Sequence, residues 1–212
     1  MKKAILLGVI LFVSIISTAC INNFAVQELN NKAKVYLEKG DFDNAISRLK
    51  SSIDLDSTIF ETHYNLGIAY TQAGKYSDAI ETFKNAIKLK PDFADTYYSL
   101  GVAQENFAKG IIDGELNIEG QSKKEKGEAL NESYINTAVN LTPEEHLKIN
   151  ELYTEAIFAY TKYLEKGKDV ADKKDVESKI EYLNIQKLKY SAQPQQGLDS
   201  AQPQTPTQAA QP

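Results

Sequence analysis

Two apolar patterns divide the chain. Ala4 to Ile16 is an almost unbroken apolar run, whereas beyond it apolar residues are spaced out among polar ones. Those spaced positions recur. Ala33-Lys34-Val35-Tyr36 aligns with Gly67-Ile68-Ala69-Tyr70 and with Gly101-Val102-Ala103-Gln104, each step being 34 residues. In the same register Gly40 meets Gly74, Ala45 meets Ala79 and Leu49 meets Phe83. A fixed period of this length marks a stacked repeat architecture, in which each unit buries its apolar face against its neighbours. Local signals mark where helices start and stop. Gly40 and Gly74 suit the left-handed backbone that ends a helix. Asp41 and Asp92 are N-cap candidates, and Thr58-Ile59-Phe60-Glu61 reads as a capping box. Pro91 falls just past a helix end, where it interrupts nothing.

The second copy, Phe60 to Phe93, carries Leu66, Gly67, Tyr70, Gly74, Ala79, Phe83, Ala86 and Pro91. This set, at this period, resembles the tetratricopeptide repeat. The resemblance implies an all-α array of antiparallel helical hairpins. Gly67, Ala79 and Ala86 would let helices approach, and Tyr70 and Phe83 would fill the space between them. The first copy, Val26 to Ile59, departs from the motif at Lys32, Ser52 and Ser57.

The third copy opens with Tyr97, Leu100 and Gly101, but its second half is delayed. That half is placed at Glu155-Ala156-Ile157-Phe158-Ala159-Tyr160, with Ala156 in the position of Ala79, which leaves an insertion of 43 residues at about 109–150. Gly110, Gly114, Gly120 and Gly127 break its first part. Ser122-Lys123-Lys124-Glu125 is a candidate cap for a helix carrying Leu130, Tyr134, Ala138 and Val139. Thr142-Pro143-Glu144-Glu145 is a strong start for a helix running to about Lys166. Residues 169–190 predict one more amphipathic helix, with Val176, Ile180, Leu183 and Lys187 on one stripe and Ile185 and Leu188 off it. Its polar remainder suits a cap on the end of the array. The expected organisation is a leader over 1–19, a linker over 20–25, the repeat domain over 26–168, the capping helix over 169–190 and a disordered Gln/Pro-rich tail over 191–212.

The first apolar run follows Lys2 and Lys3 and precedes the small residues Ser17, Thr18 and Ala19, the layout of a secretory signal peptide. Thirteen residues are too few to span a bilayer, which takes about 20. Cys20, the chain's one cysteine, comes next. Ser17-Thr18-Ala19-Cys20 resembles the lipobox of bacterial lipoproteins. That resemblance implies cleavage before Cys20, acyl chains on Cys20, and a lipid-anchored protein of the bacterial cell envelope. Several acyl chains anchor firmly where one binds marginally. In that family Ile21, rather than Asp, favours the outer membrane, facing the periplasm.

Composition narrows the function. Hydrophobic residues make up 42% and aromatics 9% of the chain, enough for a packed core. The net charge of -5, with 24 basic against 29 acidic residues, argues against a nucleic-acid partner. Removal of residues 1–19 would leave -7. One cysteine and two histidines provide little material for a metal site. His63 is expected to pack and His146 to lie on an exposed first turn, with no His-Glu-x-x-His arrangement. Asp169, Asp172 and Asp175 alternate with Lys173 and Lys174 as a solvated charged face. The glycines lack phosphate-loop spacing, and no nucleophile stands beside a base. We therefore expect a non-enzymatic protein without cofactor or metal.

The resemblance to the repeat family places the binding face on the first helix of each copy, at positions 2, 5, 9 and 12. In this chain those are Gln27, Asn30, Lys34 and Leu37, then Glu61, Tyr64, Ile68 and Thr71, then Asp95, Tyr98, Val102 and Glu105. Asn30, Lys34, Tyr64, Ile68, Tyr98 and Val102 are the expected groove residues, with Tyr64 and Tyr98 stacked one repeat apart. Only Lys34 remains near the Lys and Asn pattern by which chaperone-tail carboxylates are clamped. The expected function is a membrane-anchored scaffold that binds a peptide or helix of an envelope protein. The alternatives are a small-ligand-binding lipoprotein of a solute transporter, marked by an enclosed apolar cavity, or a surface-exposed adhesin.

Overall fold

The computed structural model describes residues 23–123, 141–167 and 171–191. They form seven helices: α1 over 23–38, α2 Phe42–Leu55, α3 Phe60–Gln72, α4 Tyr76–Leu89, α5 Ala94–Ile112, α6 Pro143–Lys166 and α7 Lys173–Ser191. Among the described residues there is no strand, only an isolated bridge between Leu116 and Ser122. The all-α hairpin array expected from the period is therefore present. The leader, Cys20, the helix expected around Leu130 and the tail beyond Ser191 lie outside the described residues. Residues 23–25, expected as linker, already belong to α1. No described helix is long and apolar enough to cross a membrane.

The first helix of each hairpin ends in the same way. Gly40, Gly74 and Gly114 have φ of 73°, 72° and 71°. In each case the glycine N–H and the next N–H return to carbonyls of the last turn: Gly40 to Leu37 and Asp41 to Tyr36, Gly74 to Thr71 and Lys75 to Tyr70, Gly114 to Ile111 and Glu115 to Gly110. This double return satisfies carbonyls a helix end would leave orphaned and turns the chain back on itself. Asp41 caps α2 by accepting from the Asn44 N–H at 3.2 Å. Thr142 and Glu145 form the reciprocal capping box of α6, with Pro143 in its first turn. Two expected caps are not used. Asp56 accepts from both the N–H and the hydroxyl of Thr58, at 2.9 and 2.7 Å, so Thr58 is unavailable and α3 starts from Ile59. Asp92 accepts from Lys166 at 3.0 Å, and α5 starts from Phe93 without a side-chain cap.

Close approach explains the glycines at the centre of the hairpins. A Cβ on Gly67 would lie 2.5 Å from Phe83 Cε1, and one on Gly101 would lie 2.9 Å from the Tyr160 ring. Phe83 follows Ala79 by four residues and Tyr160 follows Ala156 by four. The interrupted third unit thus closes in the expected register.

The insertion differs from its expected form. Both hairpins begin and end at equivalent residues, but α5 runs six residues past the point where α3 stops, and α6 begins ten residues before the equivalent of Tyr76. The ends of the insertion therefore lengthen the third hairpin. Gly110, read as a breaker, lies inside α5, where a Cβ would come within 2.5 Å of Leu116 Cδ1. The limbs are tied by Lys123 Nζ and Glu145 Oε1 at 3.1 Å.

Helix α7 packs along α6 through Val176 and Leu183, with Ile180 beside them. Ile185 and Leu188 face away, as their place off the stripe predicts. The buried apolar residues fall into two clusters. A small one joins α1, α2 and α3 around Ala33, Ala45, Leu49 and Leu66. A larger one runs from Ala79 and Phe83 through Phe107, Ile111 and Leu152 to Leu183.

Candidate functional site

The four positions that the repeat pattern assigns to a binding face divide by exposure. Gln27, Lys34, Glu61 and Asp95 are exposed; Asn30, Tyr64, Ile68, Tyr98, Val102 and Glu105 are half-buried. Several serve the fold itself. The Asn30 amide donates to Thr62 Oγ1 at 2.9 Å and so ties α1 to α3, while its buried Oδ1 has no partner among the described residues. The next copy has Tyr64 in the place of Asn30, and Thr96 Oγ1, equivalent to Thr62, is left unpartnered. Glu105 accepts from the Tyr160 hydroxyl at 2.9 Å and from Lys179 of α7 at 3.0 Å.

Tyr64 and Tyr98 do not stack on each other. Tyr64 lies 5.9 Å from Phe60, 6.1 Å from Phe83 and 5.5 Å from Phe93. Tyr98 lies 5.5 Å from Tyr160 and 5.1 Å from Tyr163. Tyr98 is held by the tyrosines of its own second helix, whereas Tyr64 sits among Phe60, Phe83 and Phe93, with its nearest, edge-to-face contact to Phe93 at the start of α5.

At position 4 of the same helices the pattern is structural. His63 Nε2 donates to the Ser57 carbonyl at 2.9 Å, and Tyr97 donates to the Pro91 carbonyl at 3.0 Å, the same bond one period later. His63 is therefore a packing residue. His146 is half-buried rather than exposed, its ring 5.6 Å from Tyr190, because α7 returns antiparallel over the start of α6. No group of three or more His, Cys, Asp or Glu among the described residues is placed to hold a metal ion.

Two hollows adjoin these helices. One of about 380 Å³ lies between the start of α1 and the start of α3, lined by Asn23, Gln27, Asn30, Asn31 and Glu61 together with Val26 and Ile59. It meets the predicted face at Gln27, Asn30 and Glu61, and its lining is mixed polar and apolar. The other, about 780 Å³, is an open trough between α4, α5 and α6, with Ile87, Tyr97, Leu100 and Phe158 along it and Lys84 and Lys162 at its rim. It shares no residue with the predicted face, and sequence reasoning missed it. The available signal was Phe158, a large apolar residue off the buried stripe of α6 and 59% exposed.

The tyrosines of the third hairpin give a pH signature. Burial, then the charge of Glu105, raises the Tyr160 phenol above its ordinary range. Burial and the hydrogen bond to Asp172 push Tyr163 up to about 12. The folded chain thus holds these protons more tightly than the unfolded chain, whose phenols ionise near about 10. The stability they contribute is complete below that pH and is lost as pH rises through the folded values. Urea midpoints of the wild type are expected to fall more between about pH 10 and pH 12 than those of Tyr160→Phe plus Tyr163→Phe. Parallel curves would show that the ionisation of these phenols is not coupled to unfolding.

The family model described as TPR repeat matches residues 33–74 and 69–106. Among solved structures, the chain is similar to the first TPR domain of the human RPAP3 protein, determined by NMR. The identity is 17% and the TM-score 0.53, over 77% of this chain and 95% of that one. It is also similar to the first TPR of Spaghetti (RPAP3) bound to HSP90 peptide SRMEEVD, at 17% identity and a TM-score of 0.52, over 76% and 93%. No match was found among curated proteins. At such identities the likeness is one of fold. With the period, the glycine-ended helices and the Gly67–Phe83 approach, the described residues fold as a TPR-like array of helical hairpins, of which residues 33–106 match the repeat model.

Proposed function

We propose that this chain is a non-enzymatic interaction scaffold of the bacterial cell envelope. It would be anchored through acyl chains on Cys20 and bind a peptide or helix of a partner protein along α1, α3 and α5. The observation that carries the reading is the division of that face. Gln27, Lys34, Glu61 and Asp95 stand exposed while Tyr64, Ile68, Tyr98 and Val102 form a half-buried floor. Apolar ground within a wettable rim is what an extended or helical segment needs for affinity and orientation. A domain of the same fold is bound to an HSP90 peptide. Anchoring rests on the Ser17-Thr18-Ala19-Cys20 motif. The small-ligand reading is served less well, because the hollow with the most apolar side chains is an open trough, not an enclosed cavity.

The test uses exposed rim residues, since Tyr64 and Tyr98 also hold the hairpins together. Cells carrying wild type or the Glu61→Lys plus Asp95→Lys variant are cross-linked, and the purified protein is examined by mass spectrometry. A partner lost from the variant, with an unchanged melting curve, supports the face. An identical partner list from both refutes it. Radiolabelled fatty acid on wild type but not on Cys20→Ser tests the anchor separately.

A further inference from the structure

We propose that the outer face of α7 is a self-association surface, on which two copies of this chain pack antiparallel about a two-fold axis. Helix α7 closes the array, and one side of it is covered by α6 through Val176 and Leu183. At about 100° per residue, Ile185 points directly away from that side, with Tyr182 and Leu188 about 60° to either side of it. These three are the large apolar side chains that α7 leaves open, at 54%, 52% and 68% exposure for Tyr182, Ile185 and Leu188.

The distribution of charge selects the occupant. Asp175 and Lys189 lie on the same edge of α7 as Tyr182, each seven residues from it, and both are exposed. Seven residues are about two turns, so the three side chains share one line along the helix. When a second α7 runs antiparallel with the two Tyr182 rings meeting, each Asp175 faces the Lys189 of the other copy. A parallel pair would instead set like charge against like. The same antiparallel register puts Ile185 between Ser178 and Glu181 of the other copy and Leu188 beside its Glu177. The seam is therefore only half apolar, and association is weak, with a dissociation constant on the order of 100 μM.

Sedimentation equilibrium of the full chain in density-matched detergent micelles, over a range of protein concentrations, tests this. A monomer–dimer equilibrium is expected, weakened by added salt. Asp175→Lys and Lys189→Asp should each weaken it about tenfold. The chain carrying both substitutions should return to within about twofold of wild type, because the pair is restored with its signs exchanged. Ile185→Asp should abolish the dimer while the urea midpoint stays unchanged. A monomer at every concentration overturns the proposal. So does a dimer indifferent to Ile185→Asp, or a double variant no better than its parents. A full chain that is monomeric while a version ending at Ser191 dimerises would assign the face to the tail and equally overturn it.

Discussion

Truncation of Tyr160 to alanine is expected to lower the free energy of unfolding by about 3–5 kcal/mol. Tyr160 is completely buried and lies at the junction of the last three helices. Its ring fills the space left by Gly101, stands edge-on to Tyr98, and carries the Lys179 ammonium at 5.5 Å. Its hydroxyl donates to Glu105. Alanine removes the ring, and neither Gly101 nor Tyr98 can fill the gap without moving a helix. A loss of that size is a large fraction of the roughly 5–15 kcal/mol that holds a domain together. Tyr160→Phe separates the two contributions. It keeps the ring, and Glu105 keeps Lys179, so the loss should be about 1 kcal/mol. Urea denaturation followed by circular dichroism measures both. A Tyr160→Ala chain within about 1 kcal/mol of wild type would mean that the third hairpin is not closed through this residue.

The second large effect comes from adding an atom. Gly67→Ala sets a methyl group 2.5 Å from the buried ring of Phe83, inside any van der Waals contact. Either the ring leaves its rotamer or α3 and α4 separate, at about 1–3 kcal/mol. Phe83→Leu alone should also destabilise, by leaving a gap. In the double variant the new methyl group occupies part of that gap, so the combined loss should fall short of the sum by at least about 1 kcal/mol. Strict additivity in chemical denaturation would show that the two residues do not share this space. Gly74→Ala provides the contrast. Nothing lies within 4 Å of its Cβ, so what it costs comes from the backbone angle of +72°.

The 34-residue period was enough to read the hairpins, the glycine-ended turns and, through Ala156, the register of a repeat cut in two. Thr142-Pro143 and the end of α6 at Lys166 were equally legible, because capping chemistry is local. What was not legible depended on distant neighbours. Thr58 matches a capping box, but Asp56 takes its hydroxyl first. Gly110 looks like a breaker until Leu116 folds over it. The binding face was readable as a set of positions, whereas the fate of each side chain was not. Nothing in the positions of Tyr64 and Tyr98 tells that one nests among Phe60, Phe83 and Phe93 and the other against Tyr160 and Tyr163. Asn30 looks like a groove residue and spends its amide on Thr62. The trough beside Phe158 needs three helices to exist, so no one segment announces it.

The unequal hairpins make the molecule a seam whose stitches lengthen from one end to the other. Its helices run to 14, 13 and 14 residues from α2 to α4, then to 19, 24 and 19 from α5 to α7. Since each unit is held only by its neighbours, a force applied at the N-terminal end works on them one at a time. The joint of α1 with α2 and α3, with its small apolar cluster, gives way first. Each released hairpin pays out slack and relieves the tension on the next. The longest overlap, between α5 and α6, is reached only after most of the stretch has already been taken up.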